Sequence, residues 1–240
     1  MSYTLAGARG NLQNGLGSFQ ELWLAGPLQD VTKREKEAKA PLFYDRRHVV
    51  KGFVQYDLPF GKGRRFLSNS NKVVDAVVGG WTLGSMIKYN SGSPIGVNSN
   101  NYYAGWERPI YAVRNANGSY QRKFNAANFN YGDPAASGNL YFDPANFSNP
   151  AYGDLGTVPM YRSDFRGFGW SNEDVMLLKN FRFAERFRVQ FRFEVYNIFS
   201  RHHFRDPNTN IGNPSDQPFG YVTGIVGSPR EGQIGARFEW

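Results

Sequence analysis

Residues Phe187 to Val195 read Phe-Arg-Val-Gln-Phe-Arg-Phe-Glu-Val. Apolar side chains hold every odd position, Phe187, Val189, Phe191, Phe193 and Val195, while Arg188, Gln190, Arg192 and Glu194 fill the gaps. Successive side chains of an extended chain point to opposite faces, so this segment is a strand with one apolar and one charged face. Two settings accept such a strand. One is the half-buried sheet of a soluble sandwich. The other is a wall with lipid on one side and water on the other.

The chain of 240 residues fits one all-β domain. It has no run of 18 apolar residues, which excludes a membrane-spanning helix. Its mean hydropathy of -0.54 does not exclude a barrel wall, because barrel strands are only half apolar and their loops are polar. The 20 Phe, 14 Tyr and 5 Trp, with 27 Gly and 13 Pro, make a turn-rich β composition. Cysteine is absent, which removes disulfides and thiolate metal sites. A net charge of +8 suits an acidic partner such as anionic lipopolysaccharide or an anionic ligand. Nucleic acid is not expected. The densest basic run is Lys33-Arg34-Glu35-Lys36, and the aromatics alternate along strands instead of interleaving with basic residues.

Five strand-like segments stand out. Arg47 to Phe60 carries Val50, Gly52, Val54, Tyr56 and Leu58 on one face and ends in Pro59-Phe60-Gly61-Lys62-Gly63. Val77 to Ser91 carries Trp81, Leu83, Ser85, Ile87 and Tyr89 on one face. Asn172–Phe183, Phe187–Phe199 and Glu231–Trp240 follow, and a weaker sixth strand covers Tyr3 to Arg9. Only Ala184-Glu185-Arg186 separates Phe183 from Phe187. A three-residue link sets Phe183 opposite Phe187 and Phe181 opposite Val189, so the apolar rows match. Parity leaves Lys179 on the apolar face, and a bulge near Asn180 would return it to the polar one.

The links alternate in length: about 16 residues after the first strand, about 75 after the second, three after the third and nearly 30 after the fourth. Antiparallel strands place alternate links at opposite ends, so the long ones gather at one end, as in outer-membrane barrels. The chain divides into a weak strand plus loop (1–46), a hairpin (47–91), a long extracellular loop (92–170), a hairpin (171–199), a loop (200–228) and a terminal strand (229–240). Trp81, Leu83, Ile87, Phe187, Val189, Phe191, Phe193, Val195, Phe238 and Trp240 are expected to face lipid. Arg182, Arg188, Arg192 and Glu194 form a charged stripe toward a wet lumen. Tyr102, Tyr103, Trp106 and Tyr120 are candidate ligand contacts, rings suited to stacking on sugars or planar chelates and equally to packing the loops together.

A series of motifs then carries a resemblance. Phe191-Arg192-Phe193-Glu194-Val195-Tyr196-Asn197-Ile198-Phe199 is followed by His203-Phe204. Before it come Asp45-Arg46-Arg47-His48, Leu58-Pro59-Phe60-Gly61-Lys62-Gly63, Gly79-Gly80-Trp81, Ser91-Gly92-Ser93-Pro94 and Leu178-Lys179-Asn180-Phe181. Pro229-Arg230 precedes Gln233-Ile234-Gly235. In order and spacing, from about Phe43 to Trp240, the series resembles the C-terminal part of TonB-dependent outer-membrane receptors of the type with an N-terminal carboxypeptidase-regulatory-like domain. The resemblance implies uptake of a siderophore, cobalamin or an oligosaccharide across the bacterial outer membrane, through a barrel of about 22 strands holding a plug. It implies three partners: outer-membrane lipid, the barrel-assembly machinery reading the C-terminal strand with its terminal Trp240, and TonB through missing upstream segments. Five or six strands fall short of the ~8 that a single-chain barrel needs, and Met1-Ser2-Tyr3-Thr4-Leu5-Ala6-Gly7 lacks a signal-peptide pattern. The expectation is an all-β, antiparallel and incomplete transmembrane barrel, a fragment of a longer receptor. The alternatives are a soluble β-sandwich carbohydrate-binding module and a complete small outer-membrane barrel.

The remaining motifs carry less. Asp45-Arg46-Arg47-His48 reads as solvated loop charge, with an ion-pair cluster at the mouth of the first strand as the alternative. His202 and His203 point apart on an extended chain and make a poor metal site. Asp206-Pro207-Asn208-Thr209-Asn210 has the alternating oxygens of a calcium loop but Ile211 where the turn needs Gly. Asn117-Gly118-Ser119 fits a glycosylation acceptor, idle in a bacterium. The sequence shows no catalytic array and no phosphate loop, so neither an enzyme nor a cofactor is expected.

Overall fold

A computed structural model describes residues 1–9, 41–101, 110–115, 123–158, 164–183, 187–212 and 214–240, without the side chains of 182 and 183. Along the chain run β1 (Ser2–Leu5), β2 (His48–Asp57), the helix α1 (Lys72–Val78), β3 (Trp81–Asn90), β4 (Val113–Arg114), β5 (Phe147–Ser148), β6 (Trp170–Phe183), β7 (Phe187–Tyr196), β8 (His203–Phe204), β9 (Ile225–Val226) and β10 (Glu231–Glu239). One sheet holds six of them in the order β1-β2-β3-β6-β7-β10, with every neighbour antiparallel. β4 pairs with β5, and β8 with β9, inside the long links. Among the described residues β1 and β10 do not pair, so the sheet stays open at both edges.

The hairpin register is the expected one, Phe183 opposite Phe187 and Phe181 opposite Val189. The bulge near Asn180 is absent. Pairing runs unbroken through Lys179–Phe191, Asn180–Gln190 and Phe181–Val189 on one side and Trp81–Lys179 on the other. The lysine stays on the apolar row because its ammonium finds partners there.

The weak strand expected over Tyr3 to Arg9 is Ser2–Leu5, with Arg9 forming only an isolated bridge to Pro41. Two further strand ends move for local reasons. Val77 and Val78 belong to α1, not to the following strand. Asn71 caps the helix by accepting from the Val74 amide (2.8 Å), and the Gly79 amide closes it on the Asp75 carbonyl (2.8 Å). The strand expected to reach Phe199 stops at Tyr196, because Asn197 and Ser200 take positive φ of 49° and 50°. Asn197 holds that turn with its own amide side chain, bonded to the Arg201 amide (2.8 Å) and to the carbonyls of Arg201 and Ser228.

The buried apolar core lies at the long-link end, away from the sheet. Phe142, Tyr141, Phe165, Val97, Val158 and Val222 are buried there, and Phe168, Phe204 and Phe219 pack against them. The rings meet edge to face, Phe142 against Phe165 at 5.2 Å and Phe124 against Phe204 at 4.8 Å. Backbone bonds tie the two long links together. Tyr141 donates to Gly220, Val222 to Asn139, and Ile211 to Asn98. The long links therefore form one cap over the sheet's end.

At the other end Gly80 has φ 68°, and a Cβ there would collide with the Asn180 carbonyl oxygen. Gly80→Ala is expected to cost about 1–3 kcal/mol, read as a lower urea midpoint of tryptophan fluorescence in detergent micelles. An unchanged midpoint would contradict the close approach.

Candidate functional site

Pairing in register copies each strand's alternation into continuous rows. Leu83 faces Leu177, which faces Phe193, which faces Ile234. Trp81, Ile87, Phe187, Val189, Phe191, Val195 and Phe238 lie on that same face, and Trp240 follows Phe238 by parity. All ten residues expected to face lipid thus share one side. Much of it is open: Leu83, Phe191, Phe193, Ile234 and Phe238 are exposed. At the short-turn end Phe238 stacks between Phe187 (5.8 Å) and Trp240 (5.9 Å).

The opposite face is a bonded polar wall. Arg188 pairs with Glu239 (3.6 Å), and Arg192 with Glu194 (3.5 Å). Gln233 bonds both Glu194 and the Tyr196 hydroxyl, and Gln190 donates to Asn180 (2.9 Å). Arg188, Arg192 and Glu194 of the expected stripe therefore stand together across β7 and β10. Arg182 sits opposite Arg188 in register, and its side chain is outside the described residues. A cleft of about 380 Å³ opens at the long-link end of this wall, beside Lys88, Asn172, Asp174, Tyr196, Asn197 and Glu231.

Two charges sit on the apolar face, each with built-in partners. Lys179, only 3% exposed, donates to the carbonyls of Val77 (3.0 Å) and Gly79. Its ammonium also lies over the rings of Trp81 (4.9 Å) and Phe181 (4.8 Å). Glu173, 4% exposed, accepts from the Tyr89 hydroxyl (2.5 Å) and takes Arg201 in a fork of 2.6 and 2.7 Å. The sequence held a signal for both: a charge at an apolar-parity position needs a local partner. The partners themselves, the end of α1 and the turn after β7, were not readable from parity.

The cap is clamped to the sheet by Asp45. Its carboxylate binds Arg166 (2.5 Å) and the Ala8 amide (2.8 Å), and Arg166 also reaches the carbonyls of Asp45 and Gly92. Asp45 is thus in a buried ion pair rather than solvated, with its partner coming from the long link, while Arg47 and His48 of the same motif are exposed. Burial pushes the Asp45 carboxyl up, but the Arg166 and Ala8 bonds and the nearby charges of Arg166 and Arg47 hold it below the ordinary carboxylate value. His203 stacks on Trp170 at 3.7 Å, and its Nε2 has no hydrogen-bond partner among the described residues. Burial, and then the charge of Arg201, hold its imidazole below the ordinary value, so it is neutral near pH 7. The calcium-like loop is occupied with internal bonds. Asp206 accepts from the Phe168 amide (2.9 Å), and Asn210 from the Gly212 amide (3.1 Å).

Tyr102, Tyr103, Trp106 and Tyr120, the candidate ligand contacts, lie outside the described residues, as do Lys33-Arg34-Glu35-Lys36 and Asn117-Gly118-Ser119. Described aromatics of the same link, such as Phe124, Tyr141 and Phe142, pack the cap.

A family model described as an outer membrane beta barrel domain matches residues 1–233. Comparison with curated proteins and comparison with solved structures each gave no match.

Two outcomes are expected of the cap. Phe142→Ala should loosen it by about 3–5 kcal/mol, seen as faster amide exchange across the long links with strand protection unchanged. The second is pH dependence. The depressed His203 pKa means the opened cap takes up a proton first, so stability is full above about pH 6.5 and falls below it. Asp45 acts in more acid solution: its contribution is present above about pH 3.9 and is lost as pH falls through its lower native value. Amide exchange followed from neutral to acid pH should show both steps, with His203→Phe removing the first and Asp45→Asn the second. Asp45→Asn should cost about 3 kcal/mol at neutral pH.

Proposed function

The chain belongs to the outer membrane beta barrel domain family of the bacterial outer membrane, and from that premise we propose that its strands form part of the wall of a TonB-dependent receptor. The apolar face contacts lipid, the polar face lines the wet interior, and the cap stands at the extracellular mouth. The parent protein takes up a scarce nutrient of the siderophore, cobalamin or oligosaccharide class by energised transport. It supplies positioning and passage rather than bond chemistry, and it acts without a cofactor.

The observation that carries this reading is the open sheet with its exposed apolar face. β2, β3 and β7 have 10 residues and β10 has 9, close to the ~9–11 a tilted strand needs to cross the hydrocarbon core. Six strands cannot close in lipid, where each unpaired backbone group costs several kcal/mol. The edges of β1 and β10 therefore call for further strands, which fits a wall segment of a large barrel. The bonded polar wall supports contact with water or a plug inside such a barrel. The long aromatic links support a ligand-contacting mouth, with Tyr102, Tyr103, Trp106 and Tyr120 as its proposed rings.

Two measurements test the reading. The full gene product should fractionate with the outer membrane and leave it only in detergent; a monodisperse protein without detergent overturns the wall. Deleting the gene should abolish growth on one limiting iron chelate, cobalamin or glycan, and a protonophore should reproduce that loss. Unchanged uptake of all three classes overturns the transport role.

A further inference from the structure

The cleft of about 380 Å³ on the polar wall draws its residues from β3, β6, β7 and β10, which are neighbours in the sheet. Contacts behind the cleft hold several of them in place. The Trp170 indole lies on the His203 ring at 3.7 Å. Gly227 leaves room for that stack, since a Cβ there would come within 3.0 Å of the indole and 3.2 Å of the imidazole. The Tyr196 hydroxyl accepts from Gln233 (3.0 Å) and donates to Glu194 (3.3 Å). Asp174 Oδ1 accepts from the Asn172 side chain (2.8 Å) and from the Asn197 backbone amide (2.9 Å). Side chains fixed in this way lose little freedom when a ligand arrives.

The same residues leave hydrogen-bonding capacity over. Among the described residues Asp174 Oδ2 has no partner, and Lys88 and Glu231 make no ion pair. His203, 7% exposed, also lines the cleft, and its Nε2 is likewise unpartnered. A buried ring nitrogen is ordinarily bonded. The described lining sets one ammonium, Lys88, against two carboxylates, Asp174 and Glu231.

These features sort the three nutrient classes. A ferric chelate built on carboxylates or catecholates is an anion and meets the wrong sign of charge. The corrin of cobalamin is far larger than the cleft. A pyranose fits. Its hydroxyls both donate and accept, so they answer Asp174, Glu231, Lys88 and either tautomer of His203. Its C–H faces stack on the rings of Trp170 and Tyr196. The volume holds about two such sugar rings.

We propose that this cleft is a subsite for an uncharged oligosaccharide on the inner wall, and that glycan is the class taken up. Trp170 and Tyr196 stack the sugar, and Asp174, Glu231, Lys88 and His203 bond its hydroxyls. The inference rests on the proposed function, because it needs the polar face to line the wet interior.

The full gene product, extracted from the outer membrane into a sugar-free detergent, is titrated with an array of neutral di- and trisaccharides covering the common pyranose units. Ferric citrate, ferrichrome and cyanocobalamin represent the other two classes. Tryptophan fluorescence is the readout. Saturable binding of at least one glycan is expected. Glu231→Gln and Lys88→Met, both at exposed positions, should each weaken it by about fivefold or more. Arg65→Gln, at the opposite end of the strands, should leave it unchanged. Equal affinity in the Glu231 and Lys88 variants overturns the subsite. Absence of binding across the array overturns the inference, while the protein's outer-membrane fractionation keeps the wall. Binding of a ferric chelate or cyanocobalamin that is lost in the same variants overturns the glycan class and leaves the receptor standing. A protein absent from the outer membrane overturns the wall and the inference together.

Discussion

Backbone pairing across the six strands is the interaction on which everything else here depends. A strand in hydrocarbon has no water to bond, so its amides and carbonyls must bond another strand. That requirement forces the chain into register, and register gathers half-apolar strands into a surface with two characters. Lys179 and Glu173 show how strict the requirement is. Each sits in an apolar row at a position that parity assigns it. The sheet keeps its ladder and answers the charge with local donors, acceptors and rings instead of a bulge.

A consequence of that arrangement is the displaced core. A soluble β protein buries its apolar residues between sheets. Here the sheet leaves its apolar face open, and the buried side chains gather in the links at one end. The Asp45–Arg166 pair joins that cap to the segment entering β2, and the Glu173–Arg201 fork joins the turn after β7 to β6. The cap is thus held by ionic contacts that parallel the ladder.

The sequence makes the strands legible because alternation is a local property of two-residue period. Val189, Phe191 and Phe193 declare their face without reference to any other part of the chain. The three-residue link makes the hairpin register legible for the same reason. What alternation does not carry is anything between distant segments. Arg166 finds Asp45 across 121 positions, and Lys179 finds Val77 across 102. α1 was hidden because Val77 and Val78 continue the alternating pattern of the next strand, while the capping by Asn71 acts from outside it. The cap's core was hidden because Phe142, Phe165 and Val222 follow no period; their meeting depends on the backbone bonds between two links.

The three-residue link between β6 and β7 also orders assembly in time. Bringing β3 to β6 requires closing the 79 residues from 91 to 169, which by loop-closure entropy is harder than closing 3 by about 3 kcal/mol. The β6–β7 hairpin is therefore the cheapest pairing in the sheet and the natural nucleus. A cap that condenses on its own aromatic core then draws residues 92 and 169 together before the ladder between β3 and β6 exists. The longest link of the chain would behave kinetically as a short one.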